Sequence, residues 1–382
     1  YNILRTNMIT TTGKNILSKY LIGQAPAYAS YIAAGCGPSA QLSTASGLDY
    51  SAKKSLDFEM FRAPIVSRGY VTENGVTEIV LTAEVPTEER YEITEVGVYS
   101  AGANPSAGAN DSRVLYSFAQ TENWEYHVLG SATAIPTIDR PLDNNDEATQ
   151  GEIVDGGSVA FFVNADNSLF ENNASRISRN ERCRFLNNMV VIRGDMSEIS
   201  KVGDELVPAV NTPHIHLTGT SINLDKNSAN DEIRLAFSVM NKLNNTATPD
   251  TVRVILEFTS EDANTEARQY AMLQSELFAS DLTSNRYIVK NSTLQDLVKS
   301  AEFSWGSISI IKVYVSVLDS VGDPDPNFYV AIDAARFENT NTVNALYGLT
   351  GYSVVKTSNA LPIVKESNTA NLVEFRFAMD VL

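Results

Sequence analysis

TVRVILEFTS, residues 251–260, alternates without a break: Val252, Val254, Leu256 and Phe258 fall on one side of an extended chain. Successive side chains of a strand point to opposite faces, so this stretch predicts a strand with one apolar face. The rhythm continues on both sides. EIRLAFSVMN alternates at Ile233, Leu235, Phe237 and Val239, and HIHLTGTSINL at Ile215, Leu217, Ile222 and Leu224. SISIIKVYVSVLD and NFYVAIDAARFEN carry it onward. Strands of this length between polar turns predict an antiparallel, jelly-roll-like β-sandwich over residues 206–340. One helical interruption is expected at Thr265–Phe278, where Tyr270, Leu273, Leu277 and Phe278 share a helical face.

Toward the N-terminus the pattern changes. GKNILSKYLI (13–22) places Ile16, Leu17, Tyr20 and Leu21 at helical spacing. The hydroxyls of Thr10, Thr11 and Thr12 are N-cap candidates, and Gly23 stands at the C-terminal end. AYASYIAAGCG (27–37) reads as a buried strand running into a glycine turn. LDFEMFRAPI (56–65) fits a short helix or an extended segment, with Pro64 biasing Ala63 away from helix. Arg68–Thr72 and Thr77–Val85 flank Glu73-Asn74-Gly75, a hairpin signal. ITEVGVYSAG (93–102) reads as a strand with Gly97 inside it. The apolar phase slips among Ile93, Val96, Val98 and Tyr99, so a bulge is expected at the glycine.

Near the other end, NLVEFRFAMDVL (371–382) alternates strongly, with Val373, Phe375, Phe377, Met379 and Val381 on one face. That strand must pair with something, either closing the sandwich or returning to the N-terminal part. The fold class is therefore mainly β: an α+β N-terminal domain with one short helix, then the antiparallel sandwich. The domain scheme is 1–138, a linker with bridging strands at 139–205, the sandwich at 206–340, and a C-terminal extension at 341–382. The acidic, glycine-containing run at 139–157 is the reason for the linker.

The length of 382 residues fits two or three domains at roughly 100–200 residues each. A hydrophobic fraction of 43% with 20% charged residues describes a folded chain rather than a disordered one. No apolar run reaches the roughly 18 residues a membrane span requires, and no signal-peptide pattern is visible. The net charge of −17 argues against nucleic acid and against an anionic membrane as partners, because both need clustered Lys and Arg. Cys36 and Cys183 lie far apart in sequence and are expected as free buried thiols.

Reactive constellations are scarce. His214 and His216 sit at i and i+2 of a strand and face one side, a geometry a metal could use. No local carboxylate or cysteine offers a third ligand, so no metal site is assigned. DPDPN (323–327) begins like a calcium loop. It then has Phe328 where glycine is needed and Ala334 where glutamate is needed, so it reads as a rigid turn. A structural calcium between sandwich loops is the single cofactor left open. Gly35-Cys36-Gly37 has no base nearby in sequence, and neither a G-x-S-x-G elbow nor a P-loop occurs. Sequons at Asn173, Asn244 and Asn291 carry no meaning without a secretory context. Trp305 and Tyr329, with Tyr314, are candidates for glycan contact, although Trp305 in FSWGSI sits where core packing is expected.

The N-terminal third resembles the N-terminal domain of tail-fibre and baseplate-associated proteins of tailed bacteriophages. The pieces are TTTGKNILSKYLIG, YIAAGCG, LDFEMFRAPI, a strand pair, and Glu95-Val96-Gly97-Val98-Tyr99 leading to RVLYSFA, over about residues 4–130. The loop AGANPSAGANDS is longer than that pattern. FSWGSISIIKVYVSV with FYVAIDAARFEN resembles, loosely, the closing strands of carbohydrate-binding jelly rolls.

The resemblance implies a non-enzymatic structural protein of a phage virion, in the tail, baseplate or neck, assembled in the host cytoplasm. Its partners would be other copies of itself and other tail or baseplate proteins. Gly97, Val98, Tyr99, Phe375 and Phe377 are the candidate assembly residues, with Val373–Val381 a candidate for pairing across domains or chains. The rival readings are a receptor- or glycan-binding tail protein, which would meet a host surface glycan, and a glycan-degrading enzyme with two facing carboxylates.

Overall fold

A computed structural model of the chain describes residues 7–24, 28–37, 50–85, 91–100, 115–116, 122–128, 131–135, 137–138, 159–164, 188–222, 231–241, 247–259, 269–282, 286–305, 308–339, 348–354, 363–365 and 371–378. The fold is mainly β, as the alternation predicts. In chain order the N-terminal elements are β1 (Asn7–Ile9), α1 (Thr11–Leu21), β2 (Tyr31–Gly35), β3 (Glu59–Glu73), β4 (Val76–Val85), β5 (Tyr91–Ile93) and β6 (Glu95–Ser100).

The middle supplies β7 (Leu115–Tyr116), β8 (Glu125–Val128), β9 (Ser131–Ala134), β10 (Thr137–Ile138), β11 (Ala160–Asn164), β12 (Asn188–Arg193), β13 (Ile199–Val202), β14 (Glu205–Pro208), β15 (His214–Ile222), β16 (Asp231–Asn241), β17 (Thr251–Thr259), β18 (Tyr270–Phe278), β19 (Tyr287–Thr293), β20 (Val298–Lys299), β21 (Ile308–Leu318) and β22 (Phe328–Asn339). The chain ends with β23 (Gly348–Val354), β24 (Ile363–Lys365) and β25 (Asn371–Ala378).

These elements form two compact units. One comprises residues 1–112, 184–186 and 340–382, and the other 113–183 and 187–339. The first unit is thus closed by the C-terminal stretch. Its main sheet has seven strands in the order β1-β23-β6-β2-β3-β4-β25, with β24 and β5 paired separately. β25 runs antiparallel to β4 from Asn371↔Val85 to Ala378↔Glu78, so the terminal strand returns to the N-terminal part. Between β3 and β4, Asn74 (φ 53°) and Gly75 (φ 82°) form the tight turn that ENG predicts, with both residues in the left-handed region.

α1 begins and ends on the signals expected of it. Thr10 is extended at the N-cap and its Oγ1 accepts from Gly13 N at 3.0 Å. Gly23, at φ 73°, follows the last turn, in the left-handed conformation that commonly ends a helix. Ile16 faces inward, whereas Leu21 and Ile22 are exposed.

The second unit is built from two seven-stranded sheets. One runs β10-β11-β12-β22-β16-β19, with β7 also pairing β22; the other runs β20-β18-β17-β21-β15-β8-β9. All pairs are antiparallel except β10–β11. Val190, Ile192, Ile233, Leu235, Phe237 and Ile332 from the first sheet share one apolar cluster with Ile215, Val252, Val254, Leu256, Val313 and Val315 from the second. Among the described residues, the alternating side chains Ile215, Leu217, Ile233, Leu235, Phe237, Val239, Val252, Val254, Leu256 and Phe258 are the ones in this core. A second cluster lies on the other face of the β17–β21 sheet, where Ile199 and Leu206 of the β13–β14 hairpin cover Ile255, Met272 and Tyr314.

Two expectations are corrected. The helix expected at Thr265–Phe278 is a strand over Tyr270–Phe278, with residues 265–268 lying outside the described residues. Nine consecutive pairs with β17, from Thr251↔Phe278 to Thr259↔Tyr270, hold it extended. The helical spacing of four apolar residues is overridden by that ladder. The bulge expected at Gly97 is also absent. β6 pairs β2 in unbroken register from Tyr31↔Tyr99 to Gly35↔Glu95. The phase slip has another cause: the chain leaves β5 at Ile93 and enters β6 at Glu95, with Thr94 between them. The irregularities lie on the neighbours, at Met60 of β3 and between Leu349 and Gly351 of β23.

Candidate functional site

β6 is central in its sheet and buried along its whole length. In Glu95-Val96-Gly97-Val98-Tyr99 the residues at i, i+2 and i+4 share one face. All three act on the same neighbouring segment, Leu56–Phe58. The Glu95 carboxylate accepts from Phe58 N at 2.8 Å and Asp57 N at 3.0 Å, and also from the Tyr352 hydroxyl at 3.0 Å. Tyr99 Oη accepts from Leu56 N at 3.1 Å. Gly97 leaves the space between them: a Cβ there would stand 2.5 Å from Leu349 Cδ1 and 2.9 Å from Leu56 Cδ2. The motif is a clamp on the loop that leads into β3.

Charges ring this clamp. Arg62 makes a two-pronged contact with buried Glu59, at 2.9 and 2.7 Å, and its guanidinium lies 3.7 Å from the centre of the Tyr99 ring. Lys53 pairs with Asp57 at 2.6 Å and sits over the Tyr352 ring at 4.6 Å. Burial pushes the Glu95 carboxyl up to about 7, and Asp57 adds to the shift; Lys53 and the two backbone N–H donors oppose it. The Tyr352 hydroxyl is raised well above its ordinary value, first by burial and then by the Glu95 charge. The nearby glycine turn is fitted to the same carboxylate, since a Cβ on Gly35 would lie 2.5 Å from Glu95 Oε1.

The candidate assembly residues are therefore placed differently from the expectation. Gly97, Val98 and Tyr99 are core residues of a central strand and present no docking surface. Phe375 is buried in β25, and the side chain of Phe377 lies outside the described residues. Trp305 and Tyr329 are core residues as well, which removes them as glycan contacts. Trp305 is 5% exposed and packs against Phe258, Phe303 and Phe337, while Tyr329 is fully buried beside Phe161. A sugar-stacking ring needs an open face. Cys36 is buried, and Cys183 lies outside the described residues. In the 319–327 turn, Asp319 Oδ1 accepts from Val321 N and Asp323 N, and Asp325 Oδ1 from Asn327 N, each at 2.9 Å. These oxygens serve the turn itself.

A second constellation is one that local spacing could not reveal. β8 pairs β15 with His214↔His127 and His216↔Glu125 in register. The third histidine absent from the local sequence thus comes from a strand almost ninety positions upstream. The His127 ring stacks on His214 with centroids 4.9 Å apart and is 5.2 Å from His216. Burial lowers His214 to about 3 and is also the leading cause of the lowered values of His216 and His127, with Lys312 adding to each.

No family model matches the chain, and no curated protein matches it. Two crystal structures of DUF4465 family proteins are distant neighbours. The one from Bacteroides caccae is 9% identical, over 72% of this chain and 100% of that one, with a TM-score of 0.24. The one from Bacteroides ovatus is 11% identical, over 81% and 98%, with a TM-score of 0.22. Likeness at this level carries no argument about what the chain does.

Proposed function

We propose that this chain is a non-enzymatic structural protein of a tailed-phage particle, held in the particle by its N-terminal unit. One observation supports the reading. Apart from RVLYSFA, whose strand Leu115–Tyr116 pairs β22 in the second unit, the pieces that resemble tail-fibre and baseplate domains lie in or against one sheet of the first unit, and the residues that follow serve its internal packing. Thr10 caps α1, Gly13 and Gly97 allow close approach, and Glu95 and Tyr99 fasten Leu56–Phe58. A motif that specifies a scaffold in this way suits a module whose task is placement rather than chemistry.

The proposed partners are other copies of the chain and other tail or baseplate proteins. An acidic chain with a net charge of −17 resists unspecific association while copies assemble. Gold-labelled antibody raised against the purified chain should decorate tailed particles at one fixed location. Particles left bare while the chain is abundant in the same lysate would defeat the proposal.

A further inference from the structure

We propose that His127, His214 and His216 form a binding site for one divalent transition-metal ion, with Zn2+ as the test ion. The sequence contains three histidines in 382 residues, and all three meet at this one place. Each offers a ring nitrogen, and these nitrogens lie within 4.8 Å of one another. Three imidazoles form a donor set that suits zinc, copper, nickel or iron better than magnesium or calcium.

The surroundings orient two of the rings. His214 Nδ1 lies 3.0 Å from the Thr212 carbonyl. That contact places the proton on Nδ1 and leaves the Nε2 lone pair free to ligate. His216 Nε2 lies 3.3 Å from the Glu125 carboxylate, which leaves Nδ1 for the ion. A carboxylate or carbonyl behind a ligating imidazole is the usual arrangement around a protein-bound metal. Glu125 also supplies negative charge against Lys312, which stands opposite His216 on β21. Tetrahedral zinc, with Zn–N near 2.0–2.1 Å, needs nitrogens about 3.3 Å apart, so binding draws the three rings together by rotation of their side chains.

Entry is from the β8 side, where His127 and Glu125 are partly exposed and His214 and His216 are buried. The ion would join β8 to β15, a pairing of only three residue pairs. The inference is independent of the virion proposal, because it concerns the ligand set alone.

The test uses the full chain without a polyhistidine tag, freed of metal with a chelator. Titration calorimetry with Zn2+ should show one site per chain. All three imidazole 13Cε1–1H signals should shift together, and the melting temperature should rise. His127→Ala, the least buried of the three, and His216→Gln should each weaken binding at least tenfold and abolish the rise. Ca2+ should do neither. Absence of stoichiometric Zn2+ binding, or binding unchanged in His127→Ala, would overturn the proposal. His127→Ala melting like the metal-free parent shows that the variant is folded and makes its loss of binding decisive.

Discussion

Gly13→Ala should destabilise the N-terminal unit by about 2–3 kcal/mol, although alanine is the better helix former. The intrinsic gain of alanine over glycine within a helix is about 1 kcal/mol. Against it stands a steric conflict with backbone. A Cβ at Gly13 would lie 2.1 Å from the Thr350 carbonyl oxygen and 2.9 Å from its carbon. Backbone cannot rotate away as a side-chain tip can, so the cost belongs at or above the upper end of the roughly 1–3 kcal/mol usual for overpacking. Relief requires α1 to lift from β23. That movement also strains the Thr10 contacts, in which Thr10 N donates to Thr350 O at 3.0 Å and Thr10 Oγ1 to Leu349 O. Urea unfolding measures the loss. A peptide spanning residues 10–22 with the same substitution should gain helicity, which separates propensity from packing. Unchanged or increased stability in the full chain would contradict the close approach.

The second large effect is at Glu95 and depends on pH. A carboxyl whose folded value is raised from 4.5 to about 7 binds more protons folded than unfolded between those limits. Its stabilising contribution is then complete below about pH 4.5 and is lost as pH rises through 7. At about 1.4 kcal/mol per unit, the loss amounts to at most about 3.5 kcal/mol. The groups facing Glu95 are Asp57, Lys53 and Tyr352. Glu95→Gln cannot accept from both Asp57 N and Phe58 N, because its amide nitrogen is a donor. One backbone N–H is left without an acceptor, at about 1–3 kcal/mol. The variant should therefore be clearly less stable than the parent at pH 5, and the gap should narrow toward pH 8. Chemical denaturation at the two pH values reads this directly. A gap that does not change with pH would show that Glu95 is not the titrating group.

Much of this architecture could be read from local pattern. The strands β16, β17, β21 and β22 announce themselves because one face of each enters a single core. Asn74-Gly75 and the Thr10–Gly23 frame of α1 were legible for the same reason: turn and cap chemistry is decided within a few residues. Non-local pairing was not legible. The strand Tyr270–Phe278 looked helical because the ladder to β17 lies outside its own sequence window. Trp305 and Tyr329 offered the same residue types whether buried or open, and only packing decides between those states. Gly97 stands out in the sequence as a strand glycine, but no bulge accounts for it. Its role is to admit Leu56 and Leu349, which sit roughly forty and two hundred and fifty positions away in the chain. The i, i+2, i+4 spacing of Glu95, Gly97 and Tyr99 did contain the signal, since it places all three on one face of a strand.

The histidine cluster has the same lesson in sharper form. His214 and His216 were visible as a pair, but the third member is set by the β8–β15 register. No spacing rule reaches across that distance.

We propose the chain as a structural component of a tailed particle, and purified particles offer the decisive material. Quantitative mass spectrometry of gradient-purified particles tests that role most directly. A particle component should be present at a fixed whole-number ratio to the other particle proteins, unchanged between preparations and retained after high-salt washing. Absence from purified particles, or a ratio that drifts with each wash, would contradict it.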